Sequence, residues 1–382
     1  QHKGLHGLPL DGRLFDGGKV PDAAHGHVQG AGDGGSRKSE HVHPDEVLLE
    51  LFLVLDAEAL LFIDDDKAEI MELHVLGQQP VGAHHDIHAA GLQAAQRLLL
   101  LLGGVPVFDS LCITFGSAGT GGFGIKNDSM ASYSTYCQVV TTVFIILFGV
   151  NFSAYYLILT KKFKQAFKLE EVRYYFGIIL ASVILIAVNT RHMFSGFAEA
   201  FQQSAFQVGS IITTTGYSST DFNQWPALSK TILVLLMFVG ACAGSTGGGI
   251  KVSRVVLLCK AARKEFQLYL HPNAVKKLKM DNKAVSHETL RSTNIFLSVY
   301  LLIFCGSILI VSLDNFDLVT NFTAVAATLN NIGPGLEVAG PMGNFSSFSY
   351  LSKSVMIFDM LAGRLEIFPL LLLFFKDTWK KF

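Results

Sequence analysis

The sequence predicts an all-α protein that crosses a membrane several times, built from repeated units of helix, re-entrant pore loop and helix. Three observations support this prediction. Half of the 382 residues are apolar, the mean hydropathy is +0.40, and only 16% of the residues are charged. Long charge-free runs recur after residue 100, and Lys and Arg are concentrated in alternate links between them. This composition argues against a disordered chain and against a nucleic-acid-binding protein.

Five apolar runs are candidate membrane spans. A hydrocarbon core of about 30 Å needs about 20 mainly apolar residues in a helix. Four candidates contain no charged residue; they are residues 138–159, 174–190, 231–250 and 292–313. The fifth, residues 355–375, contains Asp359, Arg364 and Glu366. A central Arg costs at least about 2.5–3.5 kcal/mol in lipid, so Arg364 is expected to face a cavity or a protein partner.

Three shorter apolar stretches lie between the candidate spans. They cover residues 105–117, 197–212 and 318–328, and each is followed by Thr-rich, Asn-rich or Gly-rich sequence. Segments of this length are too short to cross a bilayer, and irregular backbone inside a membrane is tolerated only where it is buried in protein or lines a wet cavity. The three stretches therefore predict re-entrant half-helices.

The basic residues predict the orientation. They crowd residues 161–173, 251–291 and 376–381, whereas the opposite loops, 114–135, 191–230 and 314–353, contain only Lys126, Arg191, Lys230 and Lys353. Cytoplasmic loops carry an excess of Lys and Arg. The basic links and the C-terminus are therefore predicted to be cytoplasmic, and the half-helices to enter from the outer side.

Residues 1–100 differ in kind from the rest. They hold 16 acidic and 7 basic residues, 10 of the 13 His, and only 3 of the 42 aromatic residues. Such a segment lacks the aromatic residues that would build a core. We expect it to be disordered or an artefact of the gene model, and not to pack against the remainder. Its His clusters, at 41–43 and 84–88, are not expected to bind metal, because no ordered ligand shell accompanies them.

The predicted half-helices end in similar signals. Residues 119–124 read Gly-Thr-Gly-Gly-Phe-Gly, 213–218 read Thr-Thr-Thr-Gly-Tyr-Ser, and 329–335 read Leu-Asn-Asn-Ile-Gly-Pro-Gly. Glycine lets a backbone turn its carbonyls toward an ion that has lost its water, as in a cation filter. The alternative is three ordinary glycine helix caps. The predicted filter residues are Thr120, Gly121, Gly122, Thr214, Thr215, Gly216, Asn331, Ile332 and Gly333.

A glycine-rich run interrupts the third candidate span. Residues 241–249, which we call the glycine loop, contain four glycines, and each glycine in a helix interior costs about 1 kcal/mol relative to Ala. A helix is therefore predicted to break here. A phosphate-binding loop is the enzyme alternative, but Ile250 precedes Lys251 and Val252 stands where Ser or Thr is needed. A purely structural kink remains a second alternative.

These residues resemble the Trk/Ktr/HKT superfamily of potassium transport subunits, and within it the Trk-type membrane pore proteins. The matching motifs are 119–129, 213–217, Ala-Cys-Ala-Gly-Ser-Thr-Gly-Gly-Gly-Ile-Lys at 241–251, 330–335, and Leu-Ala-Gly-Arg-Leu-Glu at 361–366. They cover residues of about 101–382. The resemblance implies four repeats, of which this chain shows three: a partial second repeat at 101–173, a third at 174–291 and a fourth at 292–382, with the first repeat missing. The first helix of the second repeat is expected to be reduced to residues 98–102.

The resemblance also implies roles for the glycine loop and for Arg364, which composition alone does not assign. The glycine loop would obstruct the pore beneath the filter, with Arg364 reaching toward it. The predicted gating residues are Gly244, Ser245, Thr246, Gly247, Gly248, Gly249 and Arg364. A local pair of Arg364 with Glu366 or Asp359 is the alternative.

The resemblance implies potassium uptake across the plasma (bacterial inner) membrane, with the chain acting as the channel-like translocating subunit of a Trk-type system. No enzymatic activity, cofactor or resident metal is expected, and potassium is the transported ion. The expected partners are the lipid bilayer, a second copy in a homodimer, and a cytosolic nucleotide-binding regulatory subunit, with no nucleic acid. A sodium-coupled cation transporter is the main alternative, and a nucleotide-binding membrane enzyme is a more distant one.

Overall fold

The computed structural model describes residues 84–273, 277–365 and 367–374, all within one compact unit, Glu58–Phe382. The described chain is mostly helical with almost no strand, which confirms the predicted fold class. A single two-residue hairpin, β1 (Lys279–Met280) and β2 (Lys283–Ala284), pairs antiparallel. The helices are α1 (His84–Leu102), α2 (Val107–Ala118), α3 (Thr135–Phe148), α4 (Phe152–Leu159), α5 (Phe163–Ala166), α6 (Glu170–Thr190), α7 (Phe197–Ile212), α8 (Ala227–Val239), α9 (Val252–Leu270), α10 (His287–Val311), α11 (Leu318–Leu329), α12 (Tyr350–Arg364) and α13 (Ile367–Leu372).

The three predicted half-helices are present as α2, α7 and α11. They have 12, 16 and 12 residues, which is about 18–24 Å of helix and less than a bilayer core. Each packs between a helix that precedes it and one that follows: α2 between α1 and α3, α7 between α6 and α8, and α11 between α10 and α12. The fold therefore places three helix–half-helix–helix units side by side, with α3 also packing on α7.

Two described helices, α6 and α10, are apolar and long enough to cross a membrane, as predicted for these runs. Leucines on α10, such as Leu302 and Leu309, are more than 70% exposed. A row of exposed leucines on a long helix is unfavourable in water and favourable against lipid tails. Exposure of this kind supports an orientation of these helices within a bilayer.

The candidate span over residues 138–159 is bent in the structure. The chain bends by 92° between α3 and α4. Gly149 permits the bend because a Cβ there would lie 2.4 Å from the Tyr175 hydroxyl. Tyr175 donates to the Ile146 carbonyl (2.9 Å) and Tyr155 to the Leu147 carbonyl (2.6 Å), while Asn151 caps the start of α4. Polar groups that the bend releases thus find partners inside the protein, as a membrane requires.

The predicted break at the glycine loop is present. Helix α8 ends at Val239 and α9 begins at Val252. Glycines 240, 244 and 249 have φ of +74°, +70° and +77°, which other residues rarely adopt. The last candidate span, 355–375, is also interrupted, between α12 and α13. Hydropathy averaged over a run does not reveal such breaks, since the loop residues are themselves apolar or small.

The sequence boundary predicted near residue 100 falls inside a helix. The first helix of this unit, expected to be only residues 98–102, runs over His84–Leu102. Leu100 is fully buried in a cluster with Ile113 and Cys137, and Gln96 donates to the Ser117 hydroxyl (2.9 Å). Leu, Gln and Ala are good helix formers, so a segment poor in aromatic residues still packs against α2 and α3. Residues 1–83, with the predicted disorder and the first His cluster, lie outside the described residues.

The start of α11 gives a stability prediction. Asp317 caps this half-helix by accepting from the Thr320 hydroxyl and backbone N–H, and these bonds lower the pKa of its carboxyl. A lowered folded pKa stabilises the protein above the unfolded pKa of about 3.9, and this stability is lost as the pH falls through the folded pKa. We expect Asp317→Ala to reduce stability at pH 7 by about 1 kcal/mol.

Thermal unfolding of the purified protein at pH 7 and in stepwise acid checks this expectation. Asp317→Asn is the matched control, because Asn also caps a helix but does not titrate. Its melting temperature should stay near that of the wild type at pH 7 and fall less in acid below about pH 4. Equal acid sensitivity of the two proteins would contradict the assignment.

Candidate cation pathway

Three loops follow the half-helices with one backbone conformation. We call residues 119–122 loop 1, 213–216 loop 2 and 330–333 loop 3. Each begins with the residue that follows its half-helix as C-cap, continues with a non-glycine residue in the left-handed region, and reaches a glycine of positive φ two residues later. The φ angles are +49°, +57° and +56° at Thr120, Thr214 and Asn331, and +60°, +85° and +102° at Gly122, Gly216 and Gly333.

The hydrogen bonds of the three loops also correspond. In each loop, the last two N–H groups donate to one carbonyl in the final turn of the half-helix. The acceptors are the carbonyls of Gly116 (from 121 and 122, 2.8 and 3.4 Å), Ser210 (from 215 and 216, 2.9 and 3.3 Å) and Ala327 (from 332 and 333, 2.8 and 3.5 Å). Three ordinary caps need not agree in this detail. Correspondence in both angles and bonds indicates one structural motif used three times.

The carbonyl groups of the predicted filter residues accept no hydrogen bond from the part of the chain that the structure describes. Within the described chain, the nine carbonyls of residues 120–122, 214–216 and 331–333 accept no hydrogen bond. Loop 2 is almost entirely buried, with Thr214 and Thr215 at 0% exposure. Buried carbonyls are nearly always paired in proteins. The unpaired carbonyls of the buried residues Thr214 and Thr215 are therefore unusual.

The loops lie against one another in sequence order. A Cβ on Gly122 would lie 1.5 Å from the Thr215 carbonyl oxygen, and one on Gly216 would lie 1.8 Å from the Ile332 carbonyl oxygen. Each glycine thus leaves room for the middle carbonyl of the next loop. At Gly333, nothing in the described chain lies within 4 Å of the same position. The three loops form an arc that is open on one side.

Polar side chains that the sequence analysis missed brace loops 1 and 2. Ser210 donates to the Tyr217 carbonyl (2.5 Å), and Tyr217 packs its hydroxyl against Gly116 at the end of α2. Gln202 and Gln203 both donate to the Gln138 side chain (2.9 and 3.2 Å) across the α3–α7 contact. Glutamine at buried positions of a membrane helix was the available signal, since such residues need partners there.

The glycine loop contacts loops 1, 2 and 3 where these loops join the C-terminal ends of their half-helices. Thr246 donates to the Ala118 carbonyl at the end of α2 (2.8 Å), and its own carbonyl accepts from Thr120 (3.0 Å). The Gly248 N–H donates to the Thr214 hydroxyl (2.7 Å), and a Cβ on Gly248 would lie 2.8 Å from the Asn330 carbonyl oxygen. Glycine at 248 therefore permits the backbone to approach loop 3 closely.

Arg364, the last residue of α12, joins the glycine loop to loop 1. Its guanidinium donates to the Thr246 carbonyl (2.8 Å), the Gly119 carbonyl (3.0 Å) and the Thr120 hydroxyl (3.3 Å). Asp359, one alternative partner, instead accepts from Ser307 (2.7 Å) at a fully buried position. Glu366 lies outside the described residues. The structure thus brings Arg364 and residues 246–248 together with the loops.

No group of three or more His, Cys, Asp or Glu side chains suited to a metal ion occurs in the described part of the chain. The His residues at 84–88 lie in the first turns of α1, where only the backbone is described.

The fold and this arrangement define a class: an all-α membrane transport protein whose half-helices end in adjoining glycine loops. A family model described as TrkH, cation transport protein, matches residues 93–381, and the chain belongs to this family. The family is one of transporters and not of enzymes. The match confirms the resemblance found in the sequence and begins eight residues before the predicted start, inside α1.

Known relatives agree. The Trk system potassium uptake protein TrkH of Salmonella typhimurium is 33% identical over 294 residues, which are 76% of this chain and 60% of that protein. TrkH of Vibrio parahaemolyticus is 35% identical over 73% of this chain and 58% of that protein. The crystal structure of the potassium transporter TrkH from Vibrio parahaemolyticus superposes with a TM-score of 0.71, covering 81% of this chain and 69% of that one. The chain spans about 60% of the length of these curated relatives.

Proposed function

We propose that this chain provides three of the four sides of a potassium-translocating pore in a Trk-type uptake system. The observation that carries the proposal is the set of nine unpaired carbonyls in loops 1, 2 and 3. Carbonyl oxygens replace the water shell of a potassium ion in selective pores. The C-terminal ends of three half-helices add negative dipole potential at the same place. Passage is then channel-like and driven by the membrane potential, without covalent chemistry.

The open side of the arc defines what the pore still needs. Gly333 faces no neighbour in the described chain, whereas Gly122 and Gly216 each face the next loop. A fourth loop in this gap would accept the same contact from Gly333 and offer its own glycine to loop 1. We propose that conduction requires this fourth element.

The Lys- and Arg-rich face supports the proposed partners. Helix α9 and the hairpin bring together the side chains of Lys260, Arg263, Lys264, Lys277 and Lys279. Glu170, at the start of α6, pairs with Lys260 and is the acidic neighbour in this group. We propose that this face and the C-terminus are cytoplasmic, that a nucleotide-binding regulatory subunit docks here, and that the assembly is a homodimer in the plasma membrane.

An uptake experiment tests the proposed function. The chain is expressed in a bacterial strain that lacks its own potassium uptake, alone and with whatever part of a TrkH relative precedes the match to this chain joined before residue 93. We call the second protein the completed transporter. We expect it to restore growth at low potassium, with uptake at least about tenfold above that of the chain alone, because only four loops close the filter.

Parallel uptake of sodium separates the main alternative. A sodium-coupled transporter would need sodium for potassium entry, whereas a channel-like pore would not. Uptake by the completed transporter no greater than in the empty strain, or strict dependence on sodium, would contradict the proposal.

A further inference from the structure

Glu171 is a buried carboxylate that the pathway described above does not use. It lies in the first turn of α6 and is 6% exposed. None of the ion pairs in the described chain includes it. One carboxylate oxygen accepts from the backbone N–H of Ala243 (2.6 Å) and of Ser253 (3.2 Å), and the other accepts from the Asn151 side chain (3.4 Å).

These two N–H groups stand on either side of the glycine-rich turn. Ala243 lies near its start, and Ser253 lies in the first turn of α9, where helix N–H groups have no partner within the helix. One oxygen atom of Glu171 therefore accepts hydrogen bonds from the chain segments before and after the turn, and so holds both segments to α6. The N–H of Val252 also donates to the Ala241 carbonyl (2.9 Å). This bond joins the two ends of the turn, residues 241–244 and 252–253, which we call the base of the glycine loop.

The rest of the base is bound to the bend between α3 and α4. The Cys242 N–H donates to the Gly149 carbonyl, and the Phe152 N–H donates to the Gly244 carbonyl, each at 3.1 Å. Asn151 joins this bend to Glu171, as described above. The bonds that the base makes to the rest of the protein in these paragraphs are therefore to α6 and to the bend. None of these bonds is to loop 1, 2 or 3.

The tip of the glycine loop, residues 245–249, has a different set of partners. Thr246 and Gly248 bond to loops 1 and 2 and to Arg364. Displacing the tip breaks these contacts and, where the tip joins the base, the bonds from the Ser245 N–H (3.3 Å) and hydroxyl (2.6 Å) to the Cys242 carbonyl. Displacing the base would leave buried N–H groups unpaired, which is costly in a membrane interior.

We propose that Glu171 is the positioning residue that fixes the base, so that gating moves the tip alone. The inference deepens the proposed function, since it names what holds the gate in place. Its chemistry is hydrogen-bond acceptance by one oxygen, not charge. Gln has an oxygen at the same position, whereas Ala has none.

The accessibility of the Cys242 thiol measures whether the base is displaced, because Cys242 lies in the base and is fully buried. We expect Glu171→Ala to raise the rate at which a small thiol reagent modifies Cys242 by about tenfold or more, because two buried N–H groups lose their acceptor. Glu171→Gln should stay within about threefold of the wild type. The measurement uses the full chain in lipid nanodiscs, with the other four cysteines replaced by Ser, and it does not depend on ion flux.

Two controls make the outcome decisive. Glu170→Ala removes the neighbouring carboxylate, which pairs with Lys260 and not with the loop, and should leave Cys242 protected. A second background retains only Cys137, buried on α3 away from the loop, and should stay protected in Glu171→Ala.

A protected Cys242 in Glu171→Ala would overturn the inference. An equal rise at Cys137 would also overturn it, because the role would then be global stability. Equal effects of Ala and Gln at position 171 would assign the role to charge and would overturn it too. None of these results bears on potassium uptake, so failure of this inference is distinct from failure of the proposed function.

Discussion

Gly216→Ser is expected to reduce potassium uptake by the completed transporter at least about tenfold, or to abolish its preference for potassium over sodium. Gly216 has a φ of +85°, and a Cβ there would lie 1.8 Å from the Ile332 carbonyl oxygen. Ser would therefore displace either loop 2 or loop 3. Its hydroxyl would also place a competing oxygen beside the carbonyls. Uptake of potassium and sodium by whole cells measures both effects.

Gly306→Ser is the matched control for this substitution. Gly306 lies within α10, and nothing in the described chain lies within 4 Å of the position of its Cβ. The same change of residue type should leave uptake and selectivity close to those of the unchanged protein. Unaltered selectivity and rate in Gly216→Ser would show that Gly216 only caps α7.

Arg364→Ala and deletion of residues 247–249 should each raise ion flux several-fold, and the double variant should rise little further. The guanidinium holds the tip of the glycine loop through the Thr246 carbonyl and fixes loop 1 through the Gly119 carbonyl. Its positive charge also repels cations that approach the filter next to the glycine loop. Residues that act in one network show non-additive effects, commonly of about 0.5–3 kcal/mol.

Flux into proteoliposomes that contain the completed transporter measures these variants. Lys353→Ala is the matched control, because Lys353 is a basic residue of the same helix that bonds to the Ser346 carbonyl, away from the loops. Its flux should equal that of the unchanged protein. Fully additive effects, or no rise from either single variant, would refute a gate formed by Arg364 and the glycine loop.

The sequence by itself determined the parts of this protein whose causes are local. Half-helices α2, α7 and α11 follow from apolar stretches too short to span a bilayer. The break between α8 and α9 follows from the backbone cost of the five glycines in residues 240–249. The equivalence of Gly122, Gly216 and Gly333 follows from their shared place after each half-helix. Local chain physics, namely helix length and allowed φ and ψ, is sufficient for each of these.

Tertiary structure decided the features that depend on which segments become neighbours. The bend at Gly149 lies in a run that reads as one span, because hydropathy does not register the Tyr175 hydroxyl that packs against it. The extent of α1 depends on burial of Leu100 by α2 and α3. Arg364 and Gly119 are 245 residues apart, and Glu171 is 72 residues from Ala243. A hydrogen bond across such separations exists only once the helices have packed, so no local pattern in the chain contains it.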